Sequence, residues 1–381
     1  MKFILSFFFL IFLLNCAEKS EADWTVLVYM ASDNYLNNAA IDDINEMIDA
    51  DFSDKINIIV QIDYAANSDY SAHRYEITPQ NQTFISSIGE IDSGDYTQLA
   101  SFVNWGFSEY PATKKALFIW GHGNGWYSDE NASLCTDDES GNFINVTESE
   151  LKNALKHEKL DILVFDACNM QTLEIIAEIY EYTDYVIAAE DGMNGAGFPY
   201  NTIFSDWEDF ANTENLAKQI GFNFHYSYWF EDIFPISCSV AKTSEFPQLF
   251  TKLAEFTANW NEIATIEAFR LVRAECWEFN EAFSVNLAMD IDVKEFFTTM
   301  GEVTENDTLI SEICDAIDNC FIFQKTEKYD VGYPYHEVST SLIWFPDFEA
   351  NGFFENRKTE YEKLQFAETG WISFLEDTLD E

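Results

Sequence analysis

Positive charge is what this 381-residue chain most lacks: 20 Lys and Arg face 68 Asp and Glu, a formal charge of −48. Such a surface repels phosphate backbones, so nucleic acid is excluded as a partner for most of it, and basic peptides or cationic substrates are favoured. Most of these acids need do no more than keep an extracellular surface soluble. Cysteine is scarce and scattered, at Cys16, Cys135, Cys168, Cys238, Cys276, Cys314 and Cys320. None has the paired CxxC spacing of a structural zinc site, so no such metal is expected, and spacing does not tell which thiols pair. Linkers rich in Pro, Gly or Ser, internal repeats and low-complexity segments are absent as well. Residues 22–381 are therefore read as one domain. With 47% hydrophobic and 17% aromatic residues it has ample material for a core.

Long apolar stretches are also missing, save one. Lys2 precedes an apolar run over 3–14 that ends at Asn15 and Cys16. It is too short to span a bilayer and has the layout of a processed leader. A run stopping at a Cys resembles the bacterial lipoprotein leader. That resemblance implies a signal peptide over 1–15, lipidation of Cys16 and a short tether over 16–21. Asn15 departs from the small residue usual at that position, so an ordinary secretory leader is the alternative. Either route places the protein outside the cytosol, lipid-anchored at the cell envelope or secreted.

What is present is an alternation of strand and helix. Short β-branched and aromatic runs at 24–30 (WTVLVYM), 56–62, 72–78, 115–120, 160–165 and 185–190 read as strands. Helical patterns at 36–48, 95–107 and 170–182 alternate with them, and Thr147 with Glu150 looks like a capping box for a further helix reaching 157. Later come a Gly-rich turn at 192–200, a helix near 215–228, a strand at 236–240 and candidate strands at 284–289 and 339–345. The acidic stretch 127–146 reads as an irregular insertion. This order predicts an α/β fold: a mostly parallel central sheet with helices on both faces and a helical C-terminal elaboration.

Two of the strands end abruptly in reactive side chains: KKALFIWGHGNGW at 114–126 delivers His122, and LDILVFDACNM at 160–170 delivers Cys168. Parallel strands present such ends at the carboxyl edge of the sheet, where open α/β folds place ligands, so both groups are expected in one crevice. A thiol and an imidazole supply a nucleophile and a proton carrier. The backbone N–H groups of Gly123 and Cys168 are candidate donors to an oxyanion, and a helix start after Cys168 would favour negative charge there. A nucleotide loop is disfavoured: G-H-G-N-G-W lacks the third glycine of the dinucleotide fingerprint, and no Lys-Ser or Lys-Thr follows.

A strand ending in His-Gly followed by one ending in Asp-Ala-Cys resembles the clostripain family of cysteine peptidases. WTVLVYMASDNYL, LASFVNWGFSEYP and SLIWFP at 341–346 are similar to further family segments. The resemblance implies a caspase-like α/β/α sandwich, a Cys168–His122 dyad and cleavage after Arg or possibly Lys, with peptide or protein substrates as partners. It also implies that Asp166 is the carboxylate recognising the P1 side chain, with Glu190 and Asp191 as weaker candidates for the pocket rim. On residue type alone, Asp166 also suits a helix N-cap or a strand-end hydrogen-bonding role, and Glu190 and Asp191 suit solvated loop acids. Some relatives mature by self-cleavage after a basic residue between the His and Cys strands. No Lys or Arg occurs from 123 to 151, which predicts a single-chain enzyme or another route of activation. No cofactor is expected. Calcium, required by some relatives, is the one ion the resemblance raises, but Asp137, Asp138 and Glu139 lack EF-hand spacing and read as a solvated loop. The competing hypothesis is a non-catalytic surface lipoprotein that binds peptides or proteins on the same fold.

Overall fold

The computed structural model describes residues 22–65, 71–127, 133–228, 236–276, 278–279, 290–304, 307–327, 340–346 and 351–379. The leader, Cys16 and the candidate strand at 284–289 lie outside these residues. The strands are β1 (Ala22–Ser32), β2 (Ile56–Tyr64), β3 (Ala72–Thr78), β4 (Asn81–Gly89), β5 (Ala112–Trp120), β6 (Leu160–Asp166), β7 (Thr183–Ala188), β8 (Ile236–Lys242), β9 (Glu278–Phe279), β10 (Asp290–Asp292), β11 (Phe321–Glu327) and β12 (Leu342–Trp344). Nine form one sheet in the order β11-β8-β7-β6-β5-β1-β2-β3-β4. Its centre, from β7 to β2, is parallel. Both margins are antiparallel. The sheet is thus mixed and largely parallel at the heart, and the expected α/β class holds.

Side-chain alternation explains why the sheet is covered twice. Along β1, Trp24, Val26, Val28 and Met30 join one apolar cluster, while Leu27, Tyr29 and Ala31 join the other. A strand buried on both faces reads as the continuous hydrophobic run seen in the sequence. The helices α1 (Asn37–Asp49), α2 (Tyr96–Glu109), α3 (Glu150–Leu155), α4 (Leu173–Ile179), α5 (Tyr200–Asp206) and α6 (Thr213–Ser227) supply the cover. Buried residues of α1, α5 and α6 pack on the first face and those of α2, α3 and α4 on the second. Six C-terminal helices follow: α7 (Phe246–Ile263), α8 (Ile266–Glu275), α9 (Val293–Val303), α10 (Thr308–Cys320), α11 (Asn351–Tyr361) and α12 (Trp371–Leu379). Their apolar faces belong to the second cluster, which runs from Leu27 to Leu379.

Three local expectations change. The helix entry near 147 is capped by Asn145, whose side chain accepts from Thr147 N–H while Glu150 accepts from Asn145 N–H; the reciprocal pair is Asn145–Glu150 rather than Thr147–Glu150. The stretch 127–146 is only partly an insertion, because Leu134, Cys135, Ile144 and Val146 are core residues and Leu134 bridges Ile144. The helix after Cys168 begins at Leu173, with Thr172 as its cap, so the thiol precedes it by a turn of chain and gains no helix start. Among the described residues, no helix is long and apolar enough to cross a membrane, and the six described cysteines are all free.

Candidate active site

Strand register brings the reactive residues together. Trp120, the last residue of β5, pairs with Asp166, the last of β6. His122 and Cys168 each follow two residues beyond, on adjacent parallel strands at the carboxyl edge. Gly121 adopts φ +146° and donates its N–H to the Asp166 carbonyl at 3.1 Å, which turns the chain at the strand end. Gly123 is required by space: a Cβ there would stand 2.6 Å from the Cys168 carbonyl oxygen and 2.9 Å from the Ala167 Cβ. The two strand ends therefore touch through backbone, which brings the imidazole and the thiol to the same cavity of about 230 Å³. Tyr35, Leu36, Trp120, Asp166, Met193 and Gly197 also line it.

Neighbouring segments hold both groups. The His122 carbonyl accepts from Cys135 N–H at 3.1 Å, and the exposed Tyr35 ring lies over the imidazole at 4.8 Å between centroids. Burial lowers the His122 pKa, with Asp138 opposing, so the ring is neutral at neutral pH. Cys168 Sγ accepts from Met193 N–H at 3.1 Å. Burial raises its pKa, the Met193 bond lowers it, and Asp191 and Asp166 raise it. The resting pair is thus thiol and neutral imidazole. Asn169 takes a left-handed φ of +60°, donates its N–H to the Asp191 carbonyl and its amide Nδ2 to the Glu190 carbonyl, and so fixes the turn carrying the thiol. Behind that turn, Gln171 donates N–H to the Ala189 carbonyl and accepts Leu342 N–H, which docks β12 on the Cys168 turn.

Asp166 is buried at the cavity floor. Its Oδ2 accepts from the Tyr200 hydroxyl at 2.8 Å and from Phe198 N–H at 3.3 Å. Burial raises its pKa to about 6, with Tyr200 and Phe198 opposing and Glu46 adding. Gly197 packs so closely that a Cβ would sit 2.9 Å from both carboxylate oxygens. Glu190 and Asp191 are buried, not solvated, and neither lines the cavity. Their segment supplies backbone acceptors for the Cys168 turn instead, and Asp191 Oδ1 accepts Gly192 N–H. Asp137, expected in a solvated loop, is likewise fully buried: it accepts from Ser93 N–H at 2.9 Å and Ser140 N–H at 2.8 Å. Asp138 and Glu139 are exposed.

The oxygens that would suit calcium lie elsewhere than in one loop. Asp33, Glu90 and Glu139 present carboxylate oxygens within 4.8 Å of one another. Buried Asp63 stands beside them, and neither of its oxygens makes a hydrogen bond of good geometry. Burial raises Asp63 to about 8, Glu90, Asp137 and Asp33 add, and Ser93, already directed at Asp137, offsets only part. An all-carboxylate set of this kind fits a hard divalent cation. Sequence reasoning missed Asp33, Asp63 and Glu90 here because they come from three separate strand ends. It also missed Tyr35, Trp120, Met193 and Tyr200 around the dyad; the Gly-rich 192–200 turn was the visible signal for two of them.

A thiol, an imidazole and a buried acid around one crevice at the carboxyl edge of an α/β sheet define a cysteine-peptidase-like site. The clostripain family model matches residues 28–377, and the chain belongs to that family of cysteine proteases. It is 26% identical over 230 residues to clostripain of Hathewaya histolytica, a match covering 50% of this chain and 43% of that protein. The chain thus spans less than half the length of that relative. In fold it is similar to an inactive zymogen C11 protease from Parabacteroides distasonis, with a TM-score of 0.72 and 22% identity over 92% of this chain and 98% of that one. A secreted C11 cysteine protease from Bacteroides thetaiotaomicron, solved with an irreversible peptide inhibitor, gives a TM-score of 0.72 and 21% identity over 92% of this chain and 100% of that one.

Proposed function

We propose that this protein is an extracytoplasmic cysteine endopeptidase that cuts peptide bonds after Arg, and also after Lys, through Cys168 and His122. The observation that carries the reading is the acid at the cavity floor. Asp166 is buried beside the thiol, and none of the main influences on it is a cation. A buried carboxylate without a protein counter-charge is stabilised by a guanidinium or ammonium supplied from outside.

The resting neutrality of the dyad fits a stepwise proton path. As Cys168 Sγ attacks the scissile carbonyl, its proton passes to His122, and the carbonyl oxygen takes the negative charge on the Gly123 and Cys168 N–H groups. The imidazolium then gives that proton to the departing amine as the C–N bond breaks. Water adds to the thioester with His122 as base, releasing the acid and restoring the thiol. A divalent ion at Asp33, Glu90, Glu139 and Asp63 would supply only charge neutralisation beside the segment that supports His122. Cys16, once lipidated, would hold the enzyme at the bacterial envelope; without lipidation it is secreted.

The test is hydrolysis of Arg-, Lys-, Leu- and Asp-amide substrates by the reduced, folded protein and by Cys168→Ala. Turnover of the basic substrates alone, lost in the variant, is expected. Folded wild type without turnover would instead favour a binding protein that keeps the fold.

A further inference from the structure

Deepening the reading above, and resting on it, we infer that Asp43 is the hidden partner of Asp166: the two carboxyls, one behind the pocket wall and one in the pocket, hold one proton between them when the pocket is empty, and a basic P1 side chain that binds Asp166 is attracted by both. Asp43 lies on α1, is 3% exposed and is not itself part of the cavity lining. Its Oδ2 accepts the Trp120 indole N–H at 2.6 Å. Trp120 lines the cavity and is paired in register with Asp166, so Asp43 stands behind an indole that forms the pocket wall. On Asp166 both protein donors, the Tyr200 hydroxyl and Phe198 N–H, engage Oδ2, which leaves Oδ1 for a ligand.

The groups that face this pair are acids, a phenol and a thiol, and His122 shares the cavity with Asp166. Asp42 and Glu46 come from α1, Tyr200 from α5 and Cys168 from the turn after β6. No cation is among the main influences on Asp43, Glu46, Asp166 or Tyr200. Two buried carboxyls close enough to interact cannot both ionise without a counter-charge, so one keeps its proton. Burial and Asp166 push Asp43 to about 9, while Trp120 opposes, and burial holds Asp166 at about 6. The two carboxyls therefore titrate as a pair, in two steps. An entering cation favours the ionised form of both, lowers both steps, and so binds more tightly as each proton leaves. Asp43 is a positioning residue in this scheme, acting through Asp166 and Trp120.

The experiment measures binding of a short peptide amide ending in Arg, and of its Leu counterpart, to Cys168→Ala from pH 5 to 10, by calorimetry in buffers of different ionisation enthalpy. Arg keeps its charge throughout. The expected result is a Kd that falls about tenfold through the region near 6 and again near 9, one pKa unit of depression being a factor of ten, with protons released at both steps. Adding Asp43→Asn should abolish the upper step and keep the lower; adding Asp166→Asn should abolish the lower. Should Asp43→Asn fail to fold, Trp120→Phe removes the donor that lowers Asp43 and should move the upper step to higher pH. A single step near 6 that Asp43→Asn or Trp120→Phe leaves unchanged would overturn the shared-proton pair while sparing the basic-P1 reading. Equal binding of the Arg and Leu peptides at every pH would overturn both.

Discussion

Gly123→Ala places a methyl group where the strand ends carrying His122 and Cys168 meet. The added carbon would start 2.6 Å from the Cys168 carbonyl oxygen, whereas ordinary contact begins at 3.4 Å, so the turns must separate by about 0.8 Å. The obstacle is backbone, not the far end of a flexible side chain, and the Ala167 Cβ at 2.9 Å blocks escape in that direction. Overpacking of this kind costs about 1–3 kcal/mol of stability. The larger effect should be on chemistry, because a misplacement near 1 Å of reacting groups costs on the order of 100-fold in rate. We therefore expect kcat/KM on an Arg-amide substrate to fall about 100-fold in Gly123→Ala while the protein remains folded by circular dichroism. The thiol should still be alkylated by iodoacetamide. A variant retaining wild-type kcat/KM would refute the claim that the His122 and Cys168 turns are held in contact for catalysis.

Other outcomes follow from the same geometry. Because Asp166 is raised to about 6, it protonates as pH falls through that value, so KM for basic substrates should rise below pH 6, and Asp166→Asn should remove both the rise and the preference for basic residues. Tyr35 is 78% exposed yet covers His122 in a tilted ring contact, so Tyr35→Ala should leave stability within about 0.5 kcal/mol of wild type and should shift the imidazole-dependent limb of the kcat–pH profile upward as the ring is hydrated. Asp63 is an acid whose folded pKa is raised from 3.8 to about 8, so its contribution to stability is complete at acid pH and is lost as pH rises through that interval. Asp63→Asn should consequently out-stabilise wild type by a margin that grows by up to ~1.4 kcal/mol per pH unit there. In the wild type, calcium should raise Tm at pH 8, and the variant should respond less.

The parts of this molecule visible in its sequence are those whose signal is local. The apolar runs of β1, β2, β5 and β6 announce a doubly covered parallel sheet, and the Gly residues beside His122 and the Asp-Ala-Cys before the turn mark the strand ends. The fold class was therefore legible, and so was the pair of residues that share the crevice. What escaped depends on contacts between distant segments. Asp43 meets Trp120 across 77 positions, Tyr200 meets Asp166 across 34, and Met193 meets Cys168 across 25. Glu190 and Asp191 looked like loop acids because acids usually are, yet their backbone braces the Cys168 turn and burial follows from that duty. Asp137 was misread for the same reason: its buried carboxylate accepts from the buried Ser93 N–H and from Ser140 N–H. No local pattern announces such acceptors.

The most direct test of thiol-dependent cleavage after basic residues is the cut-site profile of the reduced enzyme on a peptide library, read by mass spectrometry against Cys168→Ala and His122→Ala. The account predicts new termini following Arg and Lys in the wild type and none in either variant. Cuts distributed over other residues, or an unchanged profile in Cys168→Ala, would contradict it.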